Sequence, residues 1–463
     1  MIAHEQDAAT YPFTFRKAAV ACLRDPLIRQ AVRKATDLLS LKRTQGLQPI
    51  PWEIWREKAS EIRAYTVDHI GELVDEFGVH ATRVGAVVYR AGNSDEACYI
   101  VHNILKDRMA SKVVKAKSMI TEEIGLNYYL QDRGVQVVES DLGEFIIQLA
   151  GERPSHILGP AIHKTRMQVG RLFEEKLGVP FTDDPEMLTR IARQKLREVF
   201  LAADAGITGA NFAVAEAGSL MLFTNEGNGR MVTTIPPIHI AVLSIEKILK
   251  SISNASLLAN LLPRSATGQP LSSYLSLITG TRKLGETTGA RHLHIVLLDN
   301  GRYQIASGRF RSILKCIRCS ACLNVCPVYA TVGGHAYGSE YSGPMGIILT
   351  ILLKGMERFH SLLDACTLCG ACSEACPVKV PLKDMISDLR KMRIKQGLMP
   401  LTESSAMTGI GLVIGNSFAY RMARKAFPYV WPGFRSILKE NRLDRLPAPE
   451  KYRVSAHEIS RIA

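Results

Sequence analysis

The sequence predicts an α/β domain with a largely parallel sheet, followed by an all-helical module. Three observations carry that prediction. From about residue 83, short β-branched runs alternate with amphipathic stretches for roughly 220 residues, the pattern of strand–helix–strand units. Eight of the ten cysteines then fall between Cys316 and Cys376, in a region with almost no strand signal. The segment before residue 75 shows apolar residues at helical spacing only. The expected organisation is a helical lead over 1–75, an α/β domain over 76–304, a helical module over 305–400 and a tail over 401–463.

In chain order, the lead predicts helices over 15–41 and 51–77, the second opened by Pro51, a residue favoured at helix starts. Strands are expected at 84–89, 112–115, 135–139, 156–158, 212–215, 219–223, 238–243 and 292–298. Helices between them are expected at 95–108, 121–132, 165–176, 185–203 and 245–262. In the third region, 347–363 reads as helix. So does 382–396, where Met385, Leu389 and Met392 share one face. The tail carries glycines (Gly409, Gly411, Gly415) and aromatics (Phe427, Tyr429, Trp431, Phe434), and is expected to pack on another domain or a partner.

With 463 residues, 46% apolar and 22% charged, the chain is neither disordered nor collagen-like. Lys and Arg total 58 against 44 acidic residues, a net charge of +14. That surplus favours an acidic partner, a membrane surface or nucleic acid. Residues 1–17 include Glu5 and Asp7 and lack the apolar core of a signal peptide. The longest apolar run, 345–353, is about half of what spans a bilayer. The expected location is cytoplasmic.

The cysteines form an internal repeat offset by 50 residues. Cys316, Cys319, Cys322 and Cys326-Pro327 are matched by Cys366, Cys369, Cys372 and Cys376-Pro377. Both runs read C-x2-C-x2-C-x3-C-P, the spacing that holds [4Fe–4S] clusters in bacterial-type ferredoxins. Three thiolates on a tight loop cap three irons of a cubane, and the fourth iron needs a ligand from another direction. In two-cluster proteins the last cysteine of each run serves the other cluster. The expected sets are therefore Cys316, Cys319, Cys322 and Cys376 for cluster 1, and Cys366, Cys369, Cys372 and Cys326 for cluster 2. Structural zinc is the competing reading, but zinc ribbons rarely repeat three cysteines at this spacing before x3-C-P. The apolar insertion between the runs predicts a helical two-cluster module. Cys22 and Cys98 stand apart and read as buried structural thiols.

In the α/β region the unusual stretch is 204–230, two strand-like runs ended by glycines, with Glu216, Asn225, Glu226, Asn228 and Arg230 at the ends. Strand ends of α/β sheets are where ligands bind, although Asn225 to Gly229 is also good turn chemistry. Lys112, Lys115 and Lys117, with Ser118 and Glu122, sit where a strand meets a helix and where a carboxylate would be welcome. His239, His292 and His294 read as packed histidines. Arg302 and Arg309 read as surface arginines that steer an acidic partner. No dinucleotide, Walker A or zinc-protease motif occurs.

Taken with the cysteine runs, several stretches resemble one known family. They are Lys115 to Gly125, Leu149 to His156, Ile207 to Arg230 (with Thr208), Val296 to Arg302, His335 to Gly338 and Tyr341 to Gly346. The chain resembles the iron–sulfur subunit of the bacterial L-lactate utilisation system over roughly residues 15–400. The resemblance implies a NagB/RpiA/CoA-transferase-like α/β domain and an α-helical ferredoxin module with two [4Fe–4S] clusters. It implies electron transport during oxidation of L-lactate to pyruvate, beside two other subunits. One is a cysteine-rich protein, the other a smaller protein with the same α/β domain. The binding candidates are Lys115, Ser118, Glu122, Thr208, Glu216, Asn225, Glu226 and Asn228, for L-lactate, pyruvate or a partner. No residue is assigned a catalytic role, and the chain alone is expected not to turn over lactate. It is expected in the cytoplasm, peripheral to the inner face of the membrane, without a transmembrane segment. An electron-transfer subunit for another 2-hydroxy acid or a disulfide is the alternative. A basic [4Fe–4S] nucleic-acid enzyme comes second, since two adjacent runs suit a wire better; no nucleic-acid partner is expected.

Overall fold

A computed structural model describes residues 13–156, 159–399, 401–423 and 425. Phe427, Tyr429, Trp431 and Phe434 of the tail, and the last two positions of the strand expected at 156–158, lie outside the described residues. The chain packs as two compact units that divide after Arg393.

The described part of the lead is helical, in four pieces: Phe15–Leu23, Pro26–Leu47, Trp52–Asp68 and Ile70–Arg83. The two long helices expected there each break once. Pro26 lacks an amide proton and disfavours helical backbone at the residue before it, so a new helix begins. At His69 the backbone leaves helical geometry (φ −119, ψ 27). The fourth helix buries Ile70, Leu73, Val74, Phe77 and Ala81, the three-and-four spacing of one apolar face.

Ten strands follow among the described residues: β1 (Ala86–Ala91), β2 (Lys112–Lys115), β3 (Gln136–Glu139), β4 (Ala205–Thr208), β5 (Phe212–Val214), β6 (Ser219–Thr224), β7 (Ile238–Ser244), β8 (Ile248–Leu249), β9 (Tyr274–Ile278) and β10 (His292–Leu298). Six make a sheet of order β1-β10-β7-β4-β2-β3, with every pairing parallel. All seven residues of β7 are buried, as a central parallel strand covered on both faces requires. One face is covered by Ala97, Val101, Leu105, Leu126 and Leu130. Phe145, Phe173, Leu188 and Phe200 belong to a separate apolar cluster that includes Val114 of β2. The second sheet, β8-β5-β6-β9, is mixed.

The structure departs from the sequence expectation in several places. β4, β8 and β9 were not anticipated. β4 is four residues long and contains Gly206, where a Cβ would collide with the Val232 carbonyl; the glycine that weakens its strand signal is what lets helix Asn228–Thr234 lie against it. The helix expected at 245–262 begins only at Ile252, after β8, where the Ser251 side chain caps the Asn254 amide. The helix expected at 121–132 splits at Gly125, whose φ of 65 suits glycine. Helices Leu142–Ala150 and Asn228–Thr234 are additional.

Sheet order locates a crevice. The steps β1→β2→β3 run one way across the sheet, and β3→β4→β7→β10 run back. β2 and β4 are neighbours at the reversal, so their carboxyl ends flank the topological switch point. After β10 no strand occurs among the described residues. Short helices follow, including Ala321–Asn324, Pro327–Val332, Gly343–Lys354, Ala371–Ala375 and Leu382–Lys395.

Candidate metal centres

Both cysteine loops bend in the same way at equivalent positions. Arg318 and Ser320 have φ of 59 and 64; Leu368 and Gly370 have 59 and 86. This left-handed backbone coils each loop so that its first three thiols converge. Cys326 and Cys376 precede prolines, and Pro327 opens a helix leading away. Helix Ala321–Asn324 packs on Ala371–Ala375, and the two runs thereby exchange their last cysteines. One cavity is lined by Cys316, Cys319, Cys322 and Cys376, with Ile317, Met345 and Val380 around them. The other is lined by Cys366, Cys369, Cys372 and Cys326, with Pro344 and Leu368.

Backbone amides point at the sulfurs: Arg318 N to Cys316 Sγ at 3.4 Å, Leu368 N to Cys366 Sγ at 3.3 Å and Val380 N to Cys376 Sγ at 3.3 Å. Burial pushes the Cys319 and Cys372 thiols up to about 12 and Cys326 to about 11. Bare, these thiols keep their protons at neutral pH, and a bound cation must displace them. Four converging soft donors with amides aimed at the sulfurs fit an iron–sulfur cluster in each cavity.

The loops are clamped by arginines that sequence reading missed. Arg43 Nη2 donates to Ala375 O at 2.9 Å; Arg56 donates to Cys376 O at 2.7 Å and Ser373 O at 2.9 Å. Arg63 donates to Lys315 O at 3.0 Å, and to Leu314 O and Glu246 O at 2.6 Å each. A signal existed: Arg56 and Arg63, seven apart, share a helix face with the buried Ala59, Ser60, Thr66 and Val67. On the second run, Arg390 holds the Leu363 and Cys366 carbonyls at 2.7 and 2.6 Å.

Arg302 is not the surface arginine the sequence suggested. It is fully buried, paired with Glu123 at 2.7 Å and Glu246 at 2.8 Å. Glu123 also accepts from Asn300 and Tyr341. Burial alone would raise the Glu123 carboxyl; the Arg302 charge and these hydrogen bonds overcome it and hold it at about 2. Glu246 reaches Arg318 at 3.4 Å, so buried charges run from the α/β sheet to the first cysteine loop. Arg309 is exposed and pairs with Asp388 at 2.6 Å.

The α/β candidates divide into two groups. Lys115 ends β2 and Thr208 ends β4. A Cβ at Gly209 would strike Ser118 Oγ, so the loops after these strands touch. Lys115 is fully buried, with Nζ 2.8 Å from Glu139 and 3.2 Å from Glu122. Glu144 lies near them, its carboxyl pushed up to about 8 by burial and then by Glu139. Oxygens of Glu122, Glu139 and Glu144 fall within 4.8 Å of one another, but the Lys115 ammonium already supplies a cation there. Thr208 Oγ1 is 2.8 Å from His239 Nε2, and burial lowers that imidazole to about 4, leaving it neutral.

Glu216 and Asn225 lie instead around the second sheet, while Glu226 is close enough to Lys117 to act on its charge and Asn228 opens the helix that packs on β4. Glu216 accepts from the Ile252 amide at 2.7 Å. Asn225 ties Gln269 to the Ser273 amide. Asn228 accepts from the adjoining Gly229 amide, and Glu226 is exposed. Cys98 is buried and donates to Ile124 O at 3.3 Å, while Cys22 is half-buried. His294 is 3.1 Å from the Tyr89 hydroxyl and His292 is 3.1 Å from Arg108. The stretch ending at His156 meets the cluster region: His156 Nε2 is 3.2 Å from Asn324 Oδ1, and Tyr329 donates to Ser155 O at 2.8 Å.

A LUD domain model matches residues 74–298, and a 4Fe-4S dicluster domain model matches 312–380. Lactate utilization protein B of Shouchella clausii is 42% identical over 439 residues, 94% of this chain and 92% of that protein. The protein of that name from Bacillus cereus strain B4264 is 43% identical over 431 residues, 93% and 90% of the two chains.

The chain belongs to the lactate utilization protein B family.

Membership joins the two halves of the structure. The LUD domain supplies the parallel sheet, and the dicluster domain supplies the two four-cysteine cavities of an iron–sulfur protein with two [4Fe–4S] clusters. Among the described residues, no helix is long and apolar enough to cross a membrane. Among solved structures, a DUF162 family protein from Deinococcus radiodurans aligns at a TM-score of 0.29 and 16% identity, over 50% of this chain and 98% of that one, too slight a likeness to bear on the fold.

Proposed function

We propose that this chain is the electron-transfer iron–sulfur subunit of a complex that oxidises L-lactate to pyruvate. The observation that carries the proposal is the pair of adjacent cavities, each offering four cysteine thiols. Cys316, Cys319, Cys322 and Cys376 would hold one [4Fe–4S] cluster, and Cys366, Cys369, Cys372 and Cys326 the other. Bound there, the clusters supply one-electron carriers, and two electrons leave each lactate as it becomes pyruvate.

The chain's own residues position and insulate. Arg43, Arg56, Arg63 and Arg390 fix the loop carbonyls, so the sulfurs need little rearrangement when charge changes. Apolar Ile317, Met345 and Val380 limit water in the first cavity. Cys369 is exposed, which suits exchange with a partner. In the crevice, Ser118 Oγ is buried without a hydrogen-bond partner among the described residues. With Lys115, Glu122 and Thr208 it forms the ligand or partner site of our reading, whereas Glu216 and Asn225 serve the fold.

The organisation we propose is the one expected from sequence: a helical lead to about residue 75, a NagB/RpiA/CoA-transferase-like domain to 304, the ferredoxin module to 400 and a tail. The partners would be a cysteine-rich subunit and a smaller subunit with the same α/β domain, in the cytoplasm against the inner membrane face. Co-purification with the products of neighbouring genes, followed by L-lactate-dependent bleaching of the cluster absorbance, tests the proposal. Reduction by lactate only in the assembled complex is expected. Full turnover by the isolated chain would overturn it.

A further inference from the structure

Beside the first cysteine cavity the buried charges do not cancel. Arg63 and Arg302 are fully buried and the Arg318 side chain is 9% exposed. Against these three guanidinium groups stand two buried carboxylates, Glu123 and Glu246. Glu123 is taken by Arg302, and Glu246 is shared between Arg302 and Arg318. Among the described residues Arg63 bonds only backbone carbonyls, two of them immediately before Cys316, and its Nη1 has no hydrogen-bond partner there. A buried cation without a carboxylate is costly. A cluster ligated by four thiolates is a net anion and would serve as its counter-charge.

The second cavity is built otherwise. Its lining includes the exposed Cys369 and the exposed Lys383. Arg390, the arginine on its loop, is half-buried. Water screens charges there far more than at Arg63. Cluster potentials respond to net charge, hydrogen bonds to sulfur and exposure. The first amide contact is alike in the two loops, Arg318 to Cys316 and Leu368 to Cys366, and Val380 adds one at Cys376; charge and exposure differ as well, and charge is what substitution of Arg63 or Glu246 changes.

We propose that Arg63 and Arg318, opposed by Glu246, set the reduction potential of the first cluster and leave that of the second untouched. This rests on the electron-transfer reading above and adds where the control lies: at Arg318 within the first cysteine loop and, beyond it, at Arg63 in the helical lead and Glu246 just after β7. The step concerned adds one electron to the first cluster; no bond forms or breaks. A nearby fixed cation favours the more negative reduced form, and a fixed anion disfavours it.

The test is a dithionite titration of the anaerobically purified full-length holoprotein, followed by low-temperature electron paramagnetic resonance. The first cluster's signal is identified as the one lost in Cys376→Ser. Arg63→Met is expected to lower the first midpoint and Glu246→Gln to raise it. Arg63→Lys is expected to stay near the wild type, and the second midpoint to stay fixed in every variant. Opposite shifts at one cluster are not what loosened packing produces. Same-sign shifts, no shift, or equal shifts at both clusters would overturn the proposal. If Arg63→Met loses its cluster, Glu246→Gln decides: a raised first midpoint beside a fixed second one supports the proposal, and any other result overturns it. Wild-type protein without iron and sulfide would instead sink the electron-transfer reading underneath.

Discussion

Replacing Glu123 with alanine should be among the most damaging substitutions outside the cysteines. Its carboxylate takes both Nη atoms of Arg302, at 2.9 and 2.7 Å, and also accepts from Asn300 and Tyr341. Removing one partner of such a buried pair costs about 3–5 kcal/mol, because the other charge is left without compensation. Proton linkage arrives at a similar figure. A carboxyl held at about 2 against an ordinary 4.5 contributes roughly 3 kcal/mol at neutral pH. The side chain is 1% exposed, so solvent screening takes little from that. Urea unfolding at pH 7 under anaerobic conditions measures the loss, and Glu123→Gln, which keeps an acceptor but no charge, should lose less. An alanine variant within about 1 kcal/mol of the wild type would refute the idea that this pair joins the α/β sheet to the segment carrying Tyr341.

The same depressed carboxyl has a pH signature. Its stabilisation is complete above the unfolded value of 4.5 and is lost as pH falls toward 2; the unfolding midpoint should drop below pH 4.5, less steeply in Glu123→Ala, and identical slopes would count against it. Cys376→Ser should remove the cluster of the Cys316 run and Cys326→Ser that of the Cys366 run; in each case iron should fall from about eight to about four per chain, and loss of the cluster nearer in sequence would reverse the assignment. Gly206→Ala should cost about 1–3 kcal/mol by collision with the Val232 carbonyl. Gly78→Ala, in a helix interior with open space around it, should instead gain roughly 0.5–1 kcal/mol, both read by urea unfolding.

Local signals were legible in the sequence. The cysteine repeat, the apolar runs of β7 and β10, and helices Pro185–Ala202 and Leu382–Lys395 depend on residues close in the chain, and pattern found them. What escaped notice depends on distance. Arg302 meets Glu123 from 179 positions away, and Arg63 meets Leu314 from 251; no spacing rule marks such pairs, and a lone arginine in an otherwise ordinary helix reads as surface. β4 and β8 are four and two residues long, too short for periodicity. In β9, Tyr274, Leu275 and Leu277 stay exposed, so alternation of buried and exposed residues was absent. The crevice was half legible: Lys115 and Ser118 stood out by chemistry, but their meeting with Thr208 follows from sheet order.

The central claim is that two [4Fe–4S] clusters in this chain receive the electrons of lactate oxidation. Its most direct measurement is the spectrum of the assembled, anaerobically purified complex before and after L-lactate, alongside iron and sulfide analysis of this chain. The account predicts about eight irons and eight sulfides per chain and a cluster signal that changes on L-lactate addition. Zinc in place of iron, or iron–sulfur clusters that L-lactate leaves unreduced, would contradict it.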